Sequence, residues 1–401
     1  GFKALRSSGR KVKVETGKVR KLCKAILPDN NKDDKRRLNA YPKLISLYQN
    51  TLLTPEEIIV NYDLDLDDDD LKYFNQVVDA CHDTWVRYGE INLDEMLYQP
   101  FKDQSSLGYY DIIVIDEAQD GNSIQLELLK QVARRATKFI FVGDKQQAIY
   151  GFRGANKDSM DRIEQAFSCK KFSLSKTFRC PPAIVDRCKD LNLCGDFEAF
   201  FPDNPGEINF FSEWNEYLKT LVSLKDEGAL CVSPLNAPII KMFYRLINEG
   251  VRAKILGKNI VDNLYKILDR LSTDNIETSI REFQVYREYK YKQYRKRYGD
   301  DQDRIDNGMS IVDDSIECLT EIALRCDYVR EIPRELNKLF KHEEGAQVTL
   351  STVHKSKGME NKNVMILAND KFKLFYNDQG KEMEYVANTR SSHRLFICED
   401  K

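Results

Sequence analysis

Short apolar runs alternate with polar or helical stretches from about residue 110 onward. After a first run at Ile112–Ile115, they recur at Phe139–Val142, Ala229–Val232, Val348–Leu350, Val364–Leu367 and Leu395–Ile397. This rhythm is typical of an α/β protein with parallel sheets. Residues 259–345 interrupt it with a mostly helical pattern, and proline-rich breaks at Pro181–Pro182 and Pro202–Gly206 separate two α/β halves.

The first apolar run, within Asp111–Asp120, ends in a cluster of polar side chains. A run of this length favours a buried parallel strand, and open α/β sheets bind ligands at the carboxyl ends of such strands. There, Asp116 is suited to hold Mg²⁺ through its water shell, and Glu117 to orient or deprotonate a water that attacks a phosphate. An isolated Asp-Glu pair also occurs at the N-caps of helices, so the interpretation depends on the neighbouring segments of the chain.

The second apolar run leads into a polar and aromatic loop, Gly143–Ala155. In this loop Gln147 is suited to sense a γ-phosphate, while Tyr150, Phe152 and Arg153 offer aromatic faces and a cation for stacking on single-stranded bases. The two aromatic residues also suit a hydrophobic core, but the glycines beside them favour an exposed loop. The two runs together predict the hydrolytic centre of a nucleotide-driven motor.

The composition narrows the class of protein. The 401 residues are 42% hydrophobic and 31% charged, and no stretch has the length of a membrane span or the pattern of a signal peptide. The ten cysteines form no C-x-x-C pair, which disfavours zinc and iron–sulfur sites and fits a reducing compartment. We therefore expect an intracellular protein without a membrane partner, located in the cytoplasm, nucleoid or nucleus, or in an infected host cell if viral.

The net charge is only −2, so the choice of partner depends on local patches. Residues 1–26 carry nine basic residues against one Glu, which suits either a phosphate backbone or a solvated helical face. The segment Tyr286–Tyr298 mixes five tyrosines with six basic residues. Within it, Tyr291, Tyr294 and Arg295 are predicted to contact nucleic acid. The alternative is an amphipathic helix with tyrosines packed inward and cations solvated.

Several segments follow one another in a characteristic order. They are Val114–Asp120, Gly143–Ala155, Leu174–Pro181, Val348–Glu360 and Tyr385–Arg390. In this order they resemble motifs II to VI of the UvrD/Rep branch of superfamily 1 DNA helicases. The resemblance implies an α/β fold of two RecA-like parallel-sheet motor domains with helical insertions. It also implies ATP and Mg²⁺ as cofactors, with ATP bound in the cleft between the domains and single-stranded DNA as the track.

The resemblance assigns catalytic roles residue by residue. It implies that Asp116 binds Mg²⁺ and that Glu117 activates the attacking water. Gln147 would link the γ-phosphate to the DNA-binding loop. Arg179 and Arg390 would reach the γ-phosphate as arginine fingers, because guanidinium groups stabilise charge on the transferring phosphoryl group.

The same resemblance assigns binding roles. Phe178 would stack on adenine, where the family usually has Tyr. Glu360 would accept a hydrogen bond from the ribose, next to Gly358, where the backbone can approach closely. Thr352 and His354 would contact the DNA strand, although a His before a Lys also suits an ordinary surface.

Some positions depart from the family pattern. Asn388 replaces an apolar residue of motif VI, and Ser391 replaces a common Ala, which affects the packing around Arg390. The family's Gly-x-x-x-x-Gly-Lys-Thr/Ser loop is missing, since Thr16–Val19 is its nearest match and Val12 stands at the position of the first Gly. We expect the Q motif, motif I and motif Ia to lie upstream, so that the first motor domain is incomplete and the 401-residue chain alone is inactive.

The predicted organisation has five parts. They are a mainly helical 1B-like subdomain at 1–109, the C-terminal part of the first RecA-like domain at 110–173, the first part of the second RecA-like domain at 174–258, a reduced helical 2B-like insertion at 259–345, and the rest of the second RecA-like domain at 346–401. We expect a helicase or translocase that moves 3′→5′ on single-stranded DNA, unwinds duplex junctions and works with replication or repair proteins. The alternatives are a motor-dead nucleic-acid-binding protein and the motor part of a helicase–nuclease.

Overall fold

The computed structural model describes residues 5, 11–28, 32–62, 64–105, 107–108, 110–133, 138–151, 154–155, 158–193, 195, 197–257, 259–340, 345–375 and 379–398. The chain divides into two units, Gly1–Lys171 and Phe172–Lys401.

Helices dominate the described part of the first unit. They are α1 (Lys18–Ile26), α2 (Lys32–Thr51), α3 (Pro55–Asn61), α4 (Phe74–Tyr88), α5 (Glu95–Lys102), α6 (Ser123–Ala133) and α7 (Ser159–Phe167). The strands are β1 (Lys13–Val14), β2 (Glu90–Ile91), β3 (Ile112–Ile115) and β4 (Lys138–Phe141). Each of the pairs β1–β2 and β3–β4 forms a parallel two-stranded sheet.

Helices α1 to α4 share one buried core, to which Leu44, Ile58 and Val77 contribute fully buried side chains. Local signals fix the ends of these helices. Thr54 Oγ1 accepts from the Glu57 amide at 3.3 Å, and Glu57 Oε2 accepts from the Thr54 amide at 2.8 Å, which is a capping box at the start of α3.

Lys18, in the segment that most resembles a phosphate-binding loop, forms a buried ion pair. Lys18 Nζ donates to Glu95 Oε2 at 2.8 Å and to the carbonyl oxygens of Cys81 and Glu90 at 2.7 and 2.8 Å. Both charged side chains are almost completely buried. Lys18 therefore ties α1 to α4, β2 and α5 and has a structural role.

Strand β3 pairs with β4 as a parallel strand, but the prediction that β3 is buried was wrong. Ile112 and Val114 are 56% and 62% exposed, whereas Ile115 packs in a small cluster with Phe141. The alternation arises because successive side chains of a strand point to opposite faces of the sheet. In the described part of the first unit, only one face of this two-stranded sheet is covered.

The second unit contains a larger parallel sheet. Its strands are β7 (Glu207–Phe211), β8 (Ala229–Ser233), β9 (Ala253–Leu256), β10 (Val348–Thr352), β11 (Asn361–Ile366) and β12 (Ser391–Cys398), preceded by the short pair β5 (Lys176–Thr177) and β6 (Glu198–Ala199). The strand order is β7-β12-β11-β8-β10-β9, and every neighbouring pair is parallel. The predicted α/β class with parallel sheets is confirmed.

Helices cover this sheet and fill the interval predicted to be helical. They are α8 (Pro182–Asp190), α9 (Trp214–Ser223), α10 (Ala237–Asn248), α11 (Asn259–Leu268), α12 (Ile276–Tyr298), α13 (Gln302–Ala323), α14 (Ile332–Leu339), α15 (Val353–Ser356) and α16 (Gly380–Asn388). Phe283 of α12, Leu319 of α13 and Leu336 of α14 are buried in the same core as Ala253 and Leu350 of the sheet. Helices α12 to α14 are therefore packed into the second unit. Among the described residues, none of the helices combines the length and apolarity that a membrane crossing requires.

Candidate nucleotide and nucleic-acid sites

The acidic pair Asp116 and Glu117 follows β3 directly and is exposed. Glu117 has a φ of 52°, a left-handed conformation that is uncommon outside glycine. Its amide donates to Asp116 Oδ1 at 2.9 Å. The backbone thus turns sharply at the strand end and presents two adjacent carboxylates there. Strain of this kind is often found at functional positions.

Gln119, which the sequence interpretation left without a role, connects this turn to the loop after β4. Its Nε2 donates to Glu117 Oε2, and its Oε1 accepts from the Asp144 amide at 3.0 Å. The side chain is almost completely buried. A Cβ at Gly143 would lie 2.5 Å from Gln119 Oε1, so glycine is required there by close approach. The amide in the predicted motif was the signal that could have identified Gln119.

Gln147 lies in a 3₁₀ turn, Lys145–Gln147, whose start is fixed by Asp144. Asp144 Oδ1 accepts from the Gln146 amide at 3.0 Å, and Asp144 Oδ2 accepts from Gln147 Nε2 at 2.8 Å. Lys145 binds Asp161, and this hydrogen bond lowers the pKa of the Asp161 carboxyl. Asp116, Glu117 and Gln147 are thus linked through one polar network in the first unit.

The predicted DNA-binding loop is described in part. Tyr150 is half-buried, whereas Phe152 and Arg153 lie outside the described residues. Gly154 has a φ of +88°, and a Cβ there would lie 2.8 Å from Thr51 Cγ2 of α2. Gly154 therefore needs glycine both for its backbone conformation and for the close contact with α2.

In the second unit, residues of the segments that resemble motifs IV, V and VI come together. Arg179 Nε donates to Glu360 Oε2 at 2.6 Å. Arg390 is almost completely buried at the end of α16, and its Nη1 donates to the Met359 carbonyl at 3.2 Å. Gly358 has a φ of +83°, and a Cβ there would contact nothing within 4 Å, so its requirement is conformational. The structure thus gathers both predicted arginine fingers and the predicted ribose acceptor.

Further hydrogen bonds hold the Arg390 guanidinium. Its Nε donates to the Val386 carbonyl at 2.9 Å, and its Nη2 donates to Thr389 Oγ1 at 3.2 Å. Asn388, the departure from the family pattern, is buried and accepts from Arg187 Nε at 2.8 Å. The polar residue is therefore accommodated by a partner on α8, and α16 remains well anchored beside Arg390.

Phe178 is part of an exposed aromatic cluster. It is 66% exposed, and its ring centroid lies 4.2 Å from that of Phe200 and 6.2 Å from that of Phe201. Phe200 and Phe201 follow β6, which pairs with β5 immediately before Phe178. The sequence interpretation did not identify these two rings, since they lie outside the motifs. The cluster offers an aromatic surface suited to stacking on a base.

The predicted DNA contacts of motif V lie at the carboxyl end of β10. Thr352 is the N-cap of α15 and lies beside Ser233 at the end of β8 in the parallel register. Thr352 and His354 are both half-buried. They share one edge of the sheet, where ligands of open α/β folds bind.

The three residues of α12 that were predicted to bind nucleic acid differ in their exposure. Tyr291 and Arg295 are exposed. Tyr294 instead packs against α13, where a Cβ at Gly308 would lie 2.8 Å from its Cζ, and its ring stacks on Tyr298 with 6.2 Å between centroids. The exposed face of α12 therefore keeps a cation and an aromatic ring, while Tyr294 contributes to packing.

The donor set around Asp116 fits Mg²⁺. Protein sites for Mg²⁺ commonly supply only one or two carboxylates, while water and phosphate oxygens complete the octahedron. Asp116 and Glu117 provide two adjacent carboxylates, and the described residues contain no larger metal-binding cluster of His, Cys, Asp and Glu. The first unit thus offers a hard oxygen site that needs a phosphate ligand to be complete.

Carboxylates follow one strand of this parallel α/β fold and an arginine follows another, at the strand ends where open α/β sheets bind ligands. Comparison with known proteins shows what the chain is similar to. Residues 4–168 match the UvrD/REP helicase N-terminal domain. The chain is therefore similar to UvrD/Rep helicases, the resemblance that its motifs predicted.

Three relatives illustrate the likeness. The chain is 25% identical over 179 residues to the DNA helicase II of Haemophilus influenzae. This match covers 43% of the chain and 24% of the relative. It is 24% identical over 185 residues to the ATP-dependent DNA helicase Rep of Buchnera aphidicola, covering 43% and 27%. It is 26% identical over 180 residues to one subunit of the ATP-dependent helicase/nuclease of Clostridium acetobutylicum, covering 40% and 14%. The chain thus spans about a quarter of the length of the first two relatives.

Proposed function

We propose that this chain is the motor part of an ATP-dependent DNA helicase or translocase of UvrD/Rep type. The observation that carries the proposal is the network in which Asp116 and Glu117, exposed at the end of β3, are linked through Gln119 to the loop of Gln147. The similarity to proteins named DNA helicase II and Rep supports DNA as the substrate. We further propose single-stranded DNA as the track, 3′→5′ movement and a role at duplex junctions in replication or repair.

In this proposal each residue of the first unit has one task in hydrolysis. Asp116 holds Mg²⁺, which neutralises developing charge on the triphosphate when bound. Glu117 accepts a proton from, or orients, the attacking water. Gln147 senses the γ-phosphate, and its loop carries that state to Tyr150, Phe152 and Arg153 on the DNA strand.

The second unit contributes positive charge and base contacts. Arg179 and Arg390 stabilise the charge on the phosphoryl group that is transferred, Glu360 binds the ribose and Phe178 stacks on the adenine. Thr352 and His354 contact the strand at the sheet edge. Nearly complete burial gives the Arg390 guanidinium a fixed orientation, which favours electrostatic stabilisation because little reorganisation is needed.

A helicase–nuclease is the second candidate. The similarity to the Clostridium acetobutylicum helicase/nuclease favours it, although the match covers only 14% of that relative. A nuclease assay on the full-length protein with Mg²⁺ and linear duplex DNA separates the two candidates, because a helicase alone leaves the DNA strands intact.

The decisive variant for the proposed function is E117Q in the full-length protein. We expect DNA-stimulated ATP hydrolysis to fall by roughly 10²–10⁴-fold, since a general base or water-orienting carboxylate contributes on this scale. E127Q is the matched control, because Glu127 lies on α6 and pairs with Lys130 on the surface. The proposal fails if E117Q hydrolyses ATP at the wild-type rate in the presence of single-stranded DNA.

A further inference from the structure

The side chain of Gln119 lies between a hydrogen-bond acceptor, Glu117, and a hydrogen-bond donor, the Asp144 amide. Glu117 is a carboxylate and can only accept, so Gln119 Nε2 must face it. The Asp144 amide can only donate, so Gln119 Oε1 must face that group, at 3.0 Å. These two neighbours fix the orientation of the Gln119 amide. Neither a carboxylate nor an apolar side chain at this position satisfies both neighbours.

The surroundings leave Gln119 little freedom. It is 2% exposed. Gln119 lies in a 3₁₀ turn, Ala118–Asp120. This turn is bound to α7, because Ser159 Oγ donates to the Ala118 carbonyl at 2.9 Å. Gly143 lies so close that any Cβ there would displace the Gln119 amide oxygen. The contact between Gln119 and Glu117 therefore belongs to a rigid part of the first unit.

The chain of contacts continues beyond Asp144. The same residue that donates its amide to Gln119 accepts from Gln147 Nε2 through Oδ2 at 2.8 Å. Glu117 and Gln147 are thus connected through Gln119 and Asp144. These hydrogen bonds form one continuous path between the two side chains.

We propose that Gln119 is a positioning residue for ATP hydrolysis, which orients the Glu117 carboxylate and couples it to the loop of Gln147. This inference rests on the proposed function and deepens it. Gln119 donates to one carboxylate oxygen of Glu117, which fixes the direction of this side chain. Through Asp144, the same amide makes the orientation of Glu117 depend on the position of the loop that carries the DNA-binding residues.

Q119E in the full-length protein tests the proposal, because it preserves size and replaces the donor by an acceptor. Two facing carboxylates repel, so Glu117 is misplaced. We expect kcat to fall roughly tenfold to hundredfold, with KM for ATP within about twofold of wild type. Stimulation by single-stranded DNA also decreases, because the link between Glu117 and the loop of Gln147 is broken.

Q125E is the matched control. Gln125 lies six positions further along on α6, is exposed, and its Oε1 accepts from the Asn122 amide at 3.0 Å, which a carboxylate also does. We expect Q125E to keep the wild-type rate and the wild-type stimulation by single-stranded DNA. Q119M removes both hydrogen bonds without adding charge, so it should lower kcat less than Q119E does.

The proposal is overturned if Q119E matches Q125E in kcat and in stimulation by single-stranded DNA. If Q119E does not fold, as judged by its thermal transition, Q119M decides by its kcat, and a wild-type value overturns the proposal. Failure of the proposed function gives a different result, since E117Q would then be as active as wild type. A Q119E variant with normal kinetics beside an inactive E117Q variant rejects only the role of Gln119.

Discussion

Arg179 and Glu360 lie 181 positions apart in the chain and form an ion pair, in which Arg179 Nε donates to Glu360 Oε2 at 2.6 Å. Both were predicted to bind the nucleotide, one at the γ-phosphate and the other at the ribose. Their side chains are 34% and 61% exposed, so the pair is open to water and contributes little to stability. In the proposed function, nucleotide binding replaces this ion pair at small cost by contacts to phosphate and ribose.

This relationship leads to a prediction for Arg179. We expect R179A to lower kcat for ATP hydrolysis by about 10³-fold or more, because an arginine finger contributes on this scale. The free energy of unfolding should remain nearly unchanged. R330A is the matched control, since Arg330 forms an exposed ion pair with Asp274 in the same unit. Steady-state hydrolysis and thermal unfolding of both variants check the prediction, and equal rates for R179A and R330A would contradict it.

On helix α12, we expect the exposed Arg295 to contribute to DNA binding. R295Q should weaken binding to a forked duplex and reduce the slope of log affinity against log salt by about one, as expected for one lost phosphate contact. The control K225Q, at an exposed Lys of the same unit, should leave the slope unchanged. Fluorescence anisotropy across a salt series measures both, and an unchanged slope for R295Q would argue against a phosphate contact.

The two tyrosines of α12 should behave differently from each other. Tyr294 packs against Gly308 and Tyr298, so Y294A should lower the free energy of unfolding by roughly 2–4 kcal/mol. Y291A removes an exposed ring and should leave stability nearly unchanged while weakening DNA binding. Chemical denaturation together with anisotropy distinguishes the two effects. The assignment would be wrong if Y291A were the more destabilising substitution.

Asp314 gives the second unit a defined dependence of stability on pH. This residue of α13 accepts from the Ala237 amide at 2.7 Å and from Asn236 Nδ2 at 2.7 Å at the start of α10. Burial nevertheless raises the pKa of the Asp314 carboxyl to about 6. Because the folded state binds this proton more tightly than the unfolded state, the stabilisation is fully present below about pH 4 and is lost as the pH rises to about 6.

D314N removes this titration. From pH 4 to pH 7, the free energy of unfolding of the wild type should fall by about 3 kcal/mol relative to that of D314N. D313N is the matched control, because Asp313 is an exposed neighbour paired with Arg287. Chemical denaturation at several pH values checks the difference. A wild type that gains stability over D314N as the pH rises would show that the hydrogen bonds outweigh burial.

Much of the fold could be predicted from the hydrophobic pattern. The apolar runs at Ala229–Val232, Val348–Leu350 and Leu395–Ile397 all lie in strands of one parallel sheet, because buried parallel strands require apolar side chains on both faces. The same pattern predicted that β3 is buried, but Val114 is exposed. A local pattern gives the apolar character of a strand and does not determine which elements cover it.

The sequence indicated candidate site residues, but it could not give the contacts between them. The pairing of Arg179 with Glu360 and the approach of Phe200 to Phe178 depend on tertiary packing between distant segments. The inward orientation of Tyr294 has the same origin, since the sequence pattern alone suited both a nucleic-acid surface and a packed helix face. Gln119 was visible in the motif, but its role depends on the Asp144 amide, which only the fold brings close.

In the proposed function, the chain is the motor part of an ATP-dependent DNA helicase. ATP hydrolysis with and without single-stranded DNA, compared between the 401-residue chain and a version extended upstream, tests it most directly. We predict hydrolysis in the extended version only, with stimulation by DNA. Absence of hydrolysis in both versions, with salt-sensitive DNA binding retained, would contradict the claim and indicate a nucleic-acid-binding protein without motor activity.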